Sequence, residues 1–313
     1  MGSASTPKWN LPELLRHIPA RKAFGCPLAP YTSLRIGGPV DALVQTDNLD
    51  VLRQVLAVAN RHEIPLSVLG GGSNMLIRDG GIRGIVLLLR GAFRNYWLQA
   101  NADGETADVQ VGAGYSLSRL AMQVGKRGWS GLEFAYGIPG TLGGAMVMNA
   151  GTSLGDMSGT LLTTRMLCRN GKVCELPASA VGLRYRASSY PPGAILLEAT
   201  LRLQRGAAPV INSTMRGSYK RRRHTQPLTL PSAGSTFINP RGRAAGYLIE
   251  RLGLKGTRIG GAQVSPVHAN FITNVARATA TDVETLIAYI RDRVQETYDI
   301  SLTREVRIVG EKG

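Results

Sequence analysis

The residues best suited to chemistry stand in two glycine-rich segments. LGGGSNML (Leu69 to Leu76) places three consecutive glycines after a predicted strand and follows them with Ser73 and Asn74. Without Cβ atoms, glycines reach positive φ and turn several backbone N–H groups toward one concave site, which can hold phosphate oxygens. Ser73 and Asn74 would add side-chain donors, although the same run would also serve as a plain tight turn. GIPGTLGGAMVMNAG (Gly137 to Gly151) is the second cluster. It is no GxGxxG fingerprint, because Ile138 and Pro139 follow Gly137 and no strand, loop and acidic-residue pattern surrounds it, so a Rossmann cofactor fold is disfavoured. Two such loops, each beside a strand, would suit a long dinucleotide such as FAD lying between two small sheets.

Other chemistries lack their residues. Cys26, Cys168 and Cys174 form no CxxC pair and no zinc spacing, so no metal site is expected and all three read as reduced thiols of a cytoplasmic protein. No GxSxG frame makes a hydrolase serine. The formal charge of +16 attracts anions, whether nucleic acid, anionic lipid or phosphorylated small molecules. That charge is diffuse, and its one dense run, Lys220 to Arg223 with His224 after it, reads equally well as a solvated face. Aromatics at 6% and the lack of an RNP-like segment argue against an RNA-binding protein. The first twenty residues lack a signal peptide's apolar core, and GIVLLL from Gly84 is too short to span a bilayer.

The chain's 313 residues, 38 of them glycine, suffice for two domains rich in turns. Apolar spacing predicts helices at Leu49 to Arg61, behind a cap at Asp47, and from near Ser116 to Gly128. Strands are predicted at Ala42 to Gln45, Leu66 to Leu69, Ile85 to Leu89 and Asp108 to Val111. RGAAPVINS, from Arg205, reads as a linker or the start of an exposed helix, and the domain boundary is placed near 207. Beyond it come a helix at about Ala244 to Leu252, a strand at Asn270 to Asn274, and a helix from Asp282 to about Thr297 with a capping box of Thr281 and Glu284. The final strand is Leu302 to Val309. The texture is α+β.

YTSLRIGGPVD (Tyr31 to Asp41), the two glycine segments, LRYRASS (Leu183 to Ser189), QPLTLPSAGSTFINP (Gln226 to Pro240), AAGYLIERLGLKG (Ala244 to Gly256), GGAQVSPVHANFITN (Gly260 to Asn274) and LTREVRIVGE (Leu302 to Glu311) occur in this order. In that order and wording the chain resembles the UDP-N-acetylenolpyruvoylglucosamine reductases over roughly residues 24 to 311. The resemblance implies an FAD-binding domain of the vanillyl-alcohol-oxidase type over 1–207, made of two α+β subdomains split near 90. A smaller α+β substrate domain would follow over 208–313, its last strand (302–309) returning Glu305 to the flavin. It further implies flavin contacts from Leu69, Gly70, Gly71, Gly72, Ser73, Asn74 and Met75, and from Gly137, Ile138, Pro139, Gly140, Thr141, Gly143 and Gly144. The compact C-terminal half looks like the shorter family type, which lacks a tyrosine-bearing loop, so no closing lid is expected.

The family's catalytic trio falls on Arg186, Ser235 and Glu305. An enol ether conjugated to a carboxylate accepts hydride at its β-carbon only if negative charge gathers on the α-carbon and carboxylate. An Arg can bind that group through two N–H donors. The α-carbon then needs a proton, which a nearby hydroxyl can deliver. Glu305 would orient or polarise the carboxylate. Tyr185, Asn239, Gln226, Arg223 and His268 are the expected substrate neighbours. Ile238 stands where many relatives carry a Lys, so Asn239 or a nearby Arg would cover that contact. The implied enzyme is cytoplasmic and monomeric, uses NADPH to reduce FAD, and turns a UDP-linked enolpyruvyl sugar into UDP-N-acetylmuramate, with no nucleic-acid or membrane partner. The rival readings are an FAD alcohol oxidase of the same flavin fold and a basic RNA-binding protein.

Overall fold

The computed structural model describes residues 8–313. β1 (Arg21–Pro27) pairs antiparallel with β2 (Pro39–Thr46), and α1 (Leu49–Arg61) carries the chain to β3 (Leu66–Val68). After β4 (Met75–Ile77), β5 (Ile82–Leu89) enters in parallel between β2 and β3, giving the order β1-β2-β5-β3. The unbroken apolar run of β5 follows from that central place, because both of its faces are covered. Ile85, Leu87 and Leu89 join the main core with Val51, Leu52 and Val55 of α1, while Val86 and Leu88 pack on the other side with Leu28, Leu43 and Ile77. The cap of α1 is Asn48, one residue beyond the expected Asp47: its Oδ1 accepts from the N–H groups of Asp50 and Val51 at 2.7 and 3.2 Å.

The second sheet lies beyond Arg90. Its strands are β6 (Tyr96–Ala100), β7 (Thr106–Gly112), β8 (Leu161–Leu167), β9 (Val173–Pro177) and β10 (Ile195–Arg205), antiparallel in the order β9-β8-β10-β7-β6. Between β7 and β8 come α2 (Leu117–Lys126), capped by Ser116, and α3 (Leu142–Met148), capped by Thr141. The hairpin of β8 and β9 brings Cys168 and Cys174 together, with Cα atoms 6.6 Å apart and their sulfurs in contact. Spacing along the chain gave no sign that a tight hairpin would bring these two thiols within reach of each other. Cys26 is free.

RGAAPVINS opens a helix, α4 (Ala208–Thr225), with Pro209 in its first turn where a missing N–H costs nothing. Although α4 follows residue 207, its buried Ile211 and Met215 pack in the core of the N-terminal side. Gly125 of α2 makes room for them, since a Cβ there would lie 2.6 Å from Met215 Cε. The C-terminal core draws on residues from Ala233 onward, with Leu34, Ile36 and Leu76 from the first half. It is built on β11 (Ser232–Ser235), α5 (Ala245–Arg251), β12 (Arg258–Ile259), β13 (Ala262–Val264) and β14 (Phe271–Asn274), in the sheet order β11-β14-β13-β12. α6 (Ala280–Tyr298) covers that sheet with the stripe Val283, Leu286, Ile287, Ile290 and Val294. β15 (Arg307–Val309) then leaves the domain and pairs in parallel with β4.

The cap of α6 differs from expectation. Its capping box is Thr279 with Asp282, because Thr281 and Glu284 are engaged by the N-terminal side. Asp79, after β4, accepts from the N–H groups of Ala280 and Thr281 at 2.8 and 3.0 Å and from the Thr281 hydroxyl at 2.9 Å. Glu284 takes both arms of Arg78 at 2.8 and 3.0 Å. Among the described residues no helix is long and apolar enough to cross a membrane, and no cluster of His, Cys, Asp or Glu could hold a metal ion. Asp79→Ala removes a helix cap donated across the domain boundary and is expected to lower stability by about 1–2 kcal/mol in urea unfolding of the apoprotein.

Candidate active site

The two glycine loops meet back to back. β3 leads into Gly70, Gly71 and Gly72 and β4 leaves from Met75, while the second loop runs from Gly137 into α3. A Cβ on Gly71 would lie 2.6 Å from the Cα of Gly140, so no side chain fits at that contact. Gly72, at φ +59°, faces a second close approach, with the Tyr31 carbonyl oxygen 2.2 Å from where its Cβ would be. The Ser73 hydroxyl donates to the Pro139 carbonyl at 3.0 Å and ties the loops together. Between them and the C-terminal domain opens a cavity of about 980 Å³. All fourteen residues expected at the flavin line it, as do Arg186, Ser235, Glu305 and Gln226.

Arg186 sits at φ +57° in a turn closed by paired hydrogen bonds between Arg184 and Ala187. Its Nε donates to Glu305 Oε1 at 2.7 Å and its Nη2 to the Gly151 carbonyl at 3.1 Å. The two side chains are only 19% and 14% exposed, so the pair is largely withdrawn from water. Burial raises the Glu305 carboxyl above its usual range, and the charge and hydrogen bond of Arg186 offset only part of that rise. Glu305 is held from three sides: its N–H donates to the Thr236 carbonyl at 2.8 Å, Asn74 Nδ2 donates to its carbonyl at 3.1 Å, and Arg186 holds its carboxylate. Glu305 precedes β15 instead of alternating within a long strand, as Arg304 bridges to Phe237.

Ser235 ends β11 opposite Phe271, after Gly234 at φ +76°. The segment behind it is held by Asn270, a buried residue that periodicity marked only as part of a strand. Asn270 accepts from the Phe237 N–H at 2.9 Å, donates to the Phe237 carbonyl at 2.8 Å, and its own carbonyl takes the Thr236 N–H at 2.8 Å. Arg222 entered the sequence reading only within the basic run, where Arg223 was the residue singled out. Its Nε donates to Gln226 at 3.1 Å, while Nη1 is buried and has no partner among the described residues. Burial lowers its pKa. The only sequence signal was its place in the basic run.

Four of the five expected substrate neighbours are not brought to the cavity. Tyr185 is 56% exposed and stacks under the Arg186 guanidinium, 4.9 Å from its ring centroid. Asn239, itself exposed, accepts from the Ala245 N–H at 3.0 Å, serving the start of α5. Arg223 is exposed on α4, one residue away from the inward-facing Arg222. His268 packs on Phe271, its Nδ1 accepts from the Asn270 N–H at 3.2 Å, and burial lowers its pKa. Each of the four is committed to a local structural contact or to solvent.

The model described as UDP-N-acetylenolpyruvoylglucosamine reductase, C-terminal domain, matches residues 226–309, and one described as FAD binding domain matches 40–177. A UDP-N-acetylenolpyruvoylglucosamine reductase of Anaeromyxobacter dehalogenans (strain 2CP-C) is 44% identical over 299 residues, covering 96% of this chain and 89% of that protein. That of Bacillus velezensis is 42% identical over 91% of this chain and 92% of its own. Among solved structures, the UDP-N-acetylenolpyruvylglucosamine reductase of Thermus caldophilus superposes with a TM-score of 0.79 at 35% identity, covering 93% of this chain and 99% of that one.

A carboxyl whose folded-state pKa is raised binds its proton more tightly in the folded chain than in the unfolded one. Stability from Glu305 is therefore present below about pH 4.3, the ordinary value for a Glu, and is lost as pH rises through the higher folded value. Over that window wild-type apoprotein is expected to lose stability relative to Glu305→Gln, read by denaturant unfolding at stepped pH.

Proposed function

Because the chain belongs to the UDP-N-acetylenolpyruvoylglucosamine reductase family, we propose that Arg186, Ser235 and Glu305 carry its reaction, on the wall of the cavity that the two glycine loops complete. The enzyme is an oxidoreductase of peptidoglycan precursor synthesis, with FAD as cofactor and NADPH as co-substrate, on an FAD-binding domain of the vanillyl-alcohol-oxidase type followed by a substrate domain. The observation that carries the residue assignment is the half-buried pair of Arg186 and Glu305, which lines the same cavity as Ser235 and both loops.

The loops fit FAD on their own geometry. The contact of Gly71 with Gly140 leaves a side-chain-free cradle, and the partnerless Nη1 of Arg222 offers a donor to an anionic group. Gly70 to Asn74 and Gly137 to Gly144 would hold the cofactor. Bound there, it would supply the hydride chemistry that links NADPH to the substrate's β-carbon.

Arg186 receives the enolpyruvyl carboxylate. Its guanidinium, with Nε fixed by Glu305, keeps other N–H donors for the charge that builds on the α-carbon and carboxylate. Glu305 holds that guanidinium in plane, and its raised pKa lets it share a proton with the bound carboxylate. Ser235 delivers a proton from its hydroxyl to the α-carbon, giving the lactyl ether of UDP-N-acetylmuramate. Gln226 meets the substrate from the other wall. Two anionic reactants taking turns in one cavity imply ping-pong kinetics, and the net positive field speeds the approach of each. We assign the enzyme to the cytoplasm, where NADPH and nucleotide-linked sugars are held, and to a monomer divided after residue 207, with α4 resting on the FAD side.

Anaerobic half-reactions test the assignment. NADPH is expected to bleach the flavin of Ser235→Ala as it does wild type, whereas reoxidation by the enolpyruvyl substrate should slow by about 10²–10⁴-fold, the usual contribution of a proton donor. Full-speed reoxidation in Ser235→Ala would remove Ser235 from the mechanism.

A further inference from the structure

Asn149 ends α3 in the left-handed region, at φ 40° and ψ 58°, and is only 2% exposed. A left-handed residue after a helix is ordinarily glycine, and Asn is the next most tolerant. Here the side chain is used as well. Its Nδ2 donates to the Arg184 carbonyl at 3.2 Å and its Oδ1 accepts from the Ser158 N–H at 3.1 Å. Arg184 opens the turn that carries Arg186. Two further bonds join the same turn to the same helix end: the Ser188 hydroxyl donates to the Val147 carbonyl at 2.8 Å, and Arg186 Nη2 reaches the Gly151 carbonyl.

The Arg186 turn, closed by its own paired hydrogen bonds between Arg184 and Ala187, is thus also tied to the end of α3. Its backbone is strained at φ +57°, a conformation a long side chain adopts only when its surroundings impose it. The surroundings that impose it are the end of α3, whose Gly143, Gly144 and Val147 line the cavity. We propose that Asn149 is a positioning residue for Arg186, clamping the Arg184 to Ala187 turn to the helix that borders the flavin. The glycine that would satisfy the backbone could not hold the turn, and an Asp would keep the acceptor but set a carboxylate oxygen against the Arg184 carbonyl.

The inference rests on Arg186 acting in the oxidative half-reaction, and its test separates the two claims. Asn149→Gly, Asn149→Asp, Ser188→Ala and Arg186→Gln holoenzymes are compared in anaerobic stopped flow, together with flavin-to-protein ratio and melting temperature. In Asn149→Gly and Asn149→Asp, flavin content and bleaching by NADPH should stay within about threefold of wild type, while reoxidation by the enolpyruvyl substrate falls by up to about 10²-fold, as for a reacting group misplaced by an ångström or so. Ser188→Ala should show the same selective loss, smaller in size, in a variant that leaves the helix end untouched. Wild-type reoxidation in the Asn149 variants and in Ser188→Ala, with Arg186→Gln impaired, overturns the positioning role alone. Parallel loss of flavin, bleaching and reoxidation overturns it too, making Asn149 a general fold residue. Wild-type reoxidation in Arg186→Gln overturns the role of Arg186 itself, and with it the reason to position it.

Discussion

A single ion pair gathers the pieces on which the site depends. Arg186 comes from a turn in the second sheet's domain and Glu305 from the segment that returns out of the C-terminal domain, and their side chains meet at 2.7 Å in a half-dry cavity wall. Pairs withdrawn from water recover little net stability, since desolvating two charges costs about as much as their attraction returns. The raised pKa of Glu305 is the direct sign of that cost. The pair is better understood as preorganisation. It fixes the guanidinium in place, and the backbone of the same Glu is tied to Asn74 in the first glycine loop and to Thr236 beside Ser235. One residue thereby links the first glycine loop, the Ser235 segment and Arg186.

The glycine loops work by a different constraint, the lack of room. Gly71 against Gly140 is a contact of backbone with backbone, and it brings together loops that lie far apart in the chain. A side chain at Gly71 would part the two loops and open the cradle from behind, and one at Gly140 would collide with the Ser73 hydroxyl that ties them. The hydroxyl of Ser73, spent on the Pro139 carbonyl, belongs to the same closure and is therefore less free to donate to a phosphate than its place in the sequence suggests.

Much of this was legible beforehand. Periodicity located α1, α2, α6 and the central strands, because each buries one face or both in a hydrophobic core. The glycine segments and Arg186, Ser235 and Glu305 were singled out through motif wording, and all of them line one cavity. What escaped depends on partners distant in sequence. α4 has few apolar positions, and only the gap left by Gly125 shows where Ile211 and Met215 go. The box of α6 moved to Thr279 and Asp282 because Asp79 and Arg78, some two hundred positions earlier, claim Thr281 and Glu284. Tyr185, Asn239, Arg223 and His268 were named for their nearness to motif residues, but alternate residues of a chain point different ways. Arg222 and Arg223 show this most plainly, one inward and one in water.

The parallel pairing of β15 with β4 also bears on the order of events at the ribosome. β4 directly follows the first glycine loop, so the exit of that loop stays an unpaired edge until residues 307 to 309 have been made. The segment that supplies those residues also delivers Glu305. A growing chain can therefore complete both sheets of its cofactor domain while the exit of the loop is still an open edge and Arg186 still lacks its Glu305 partner.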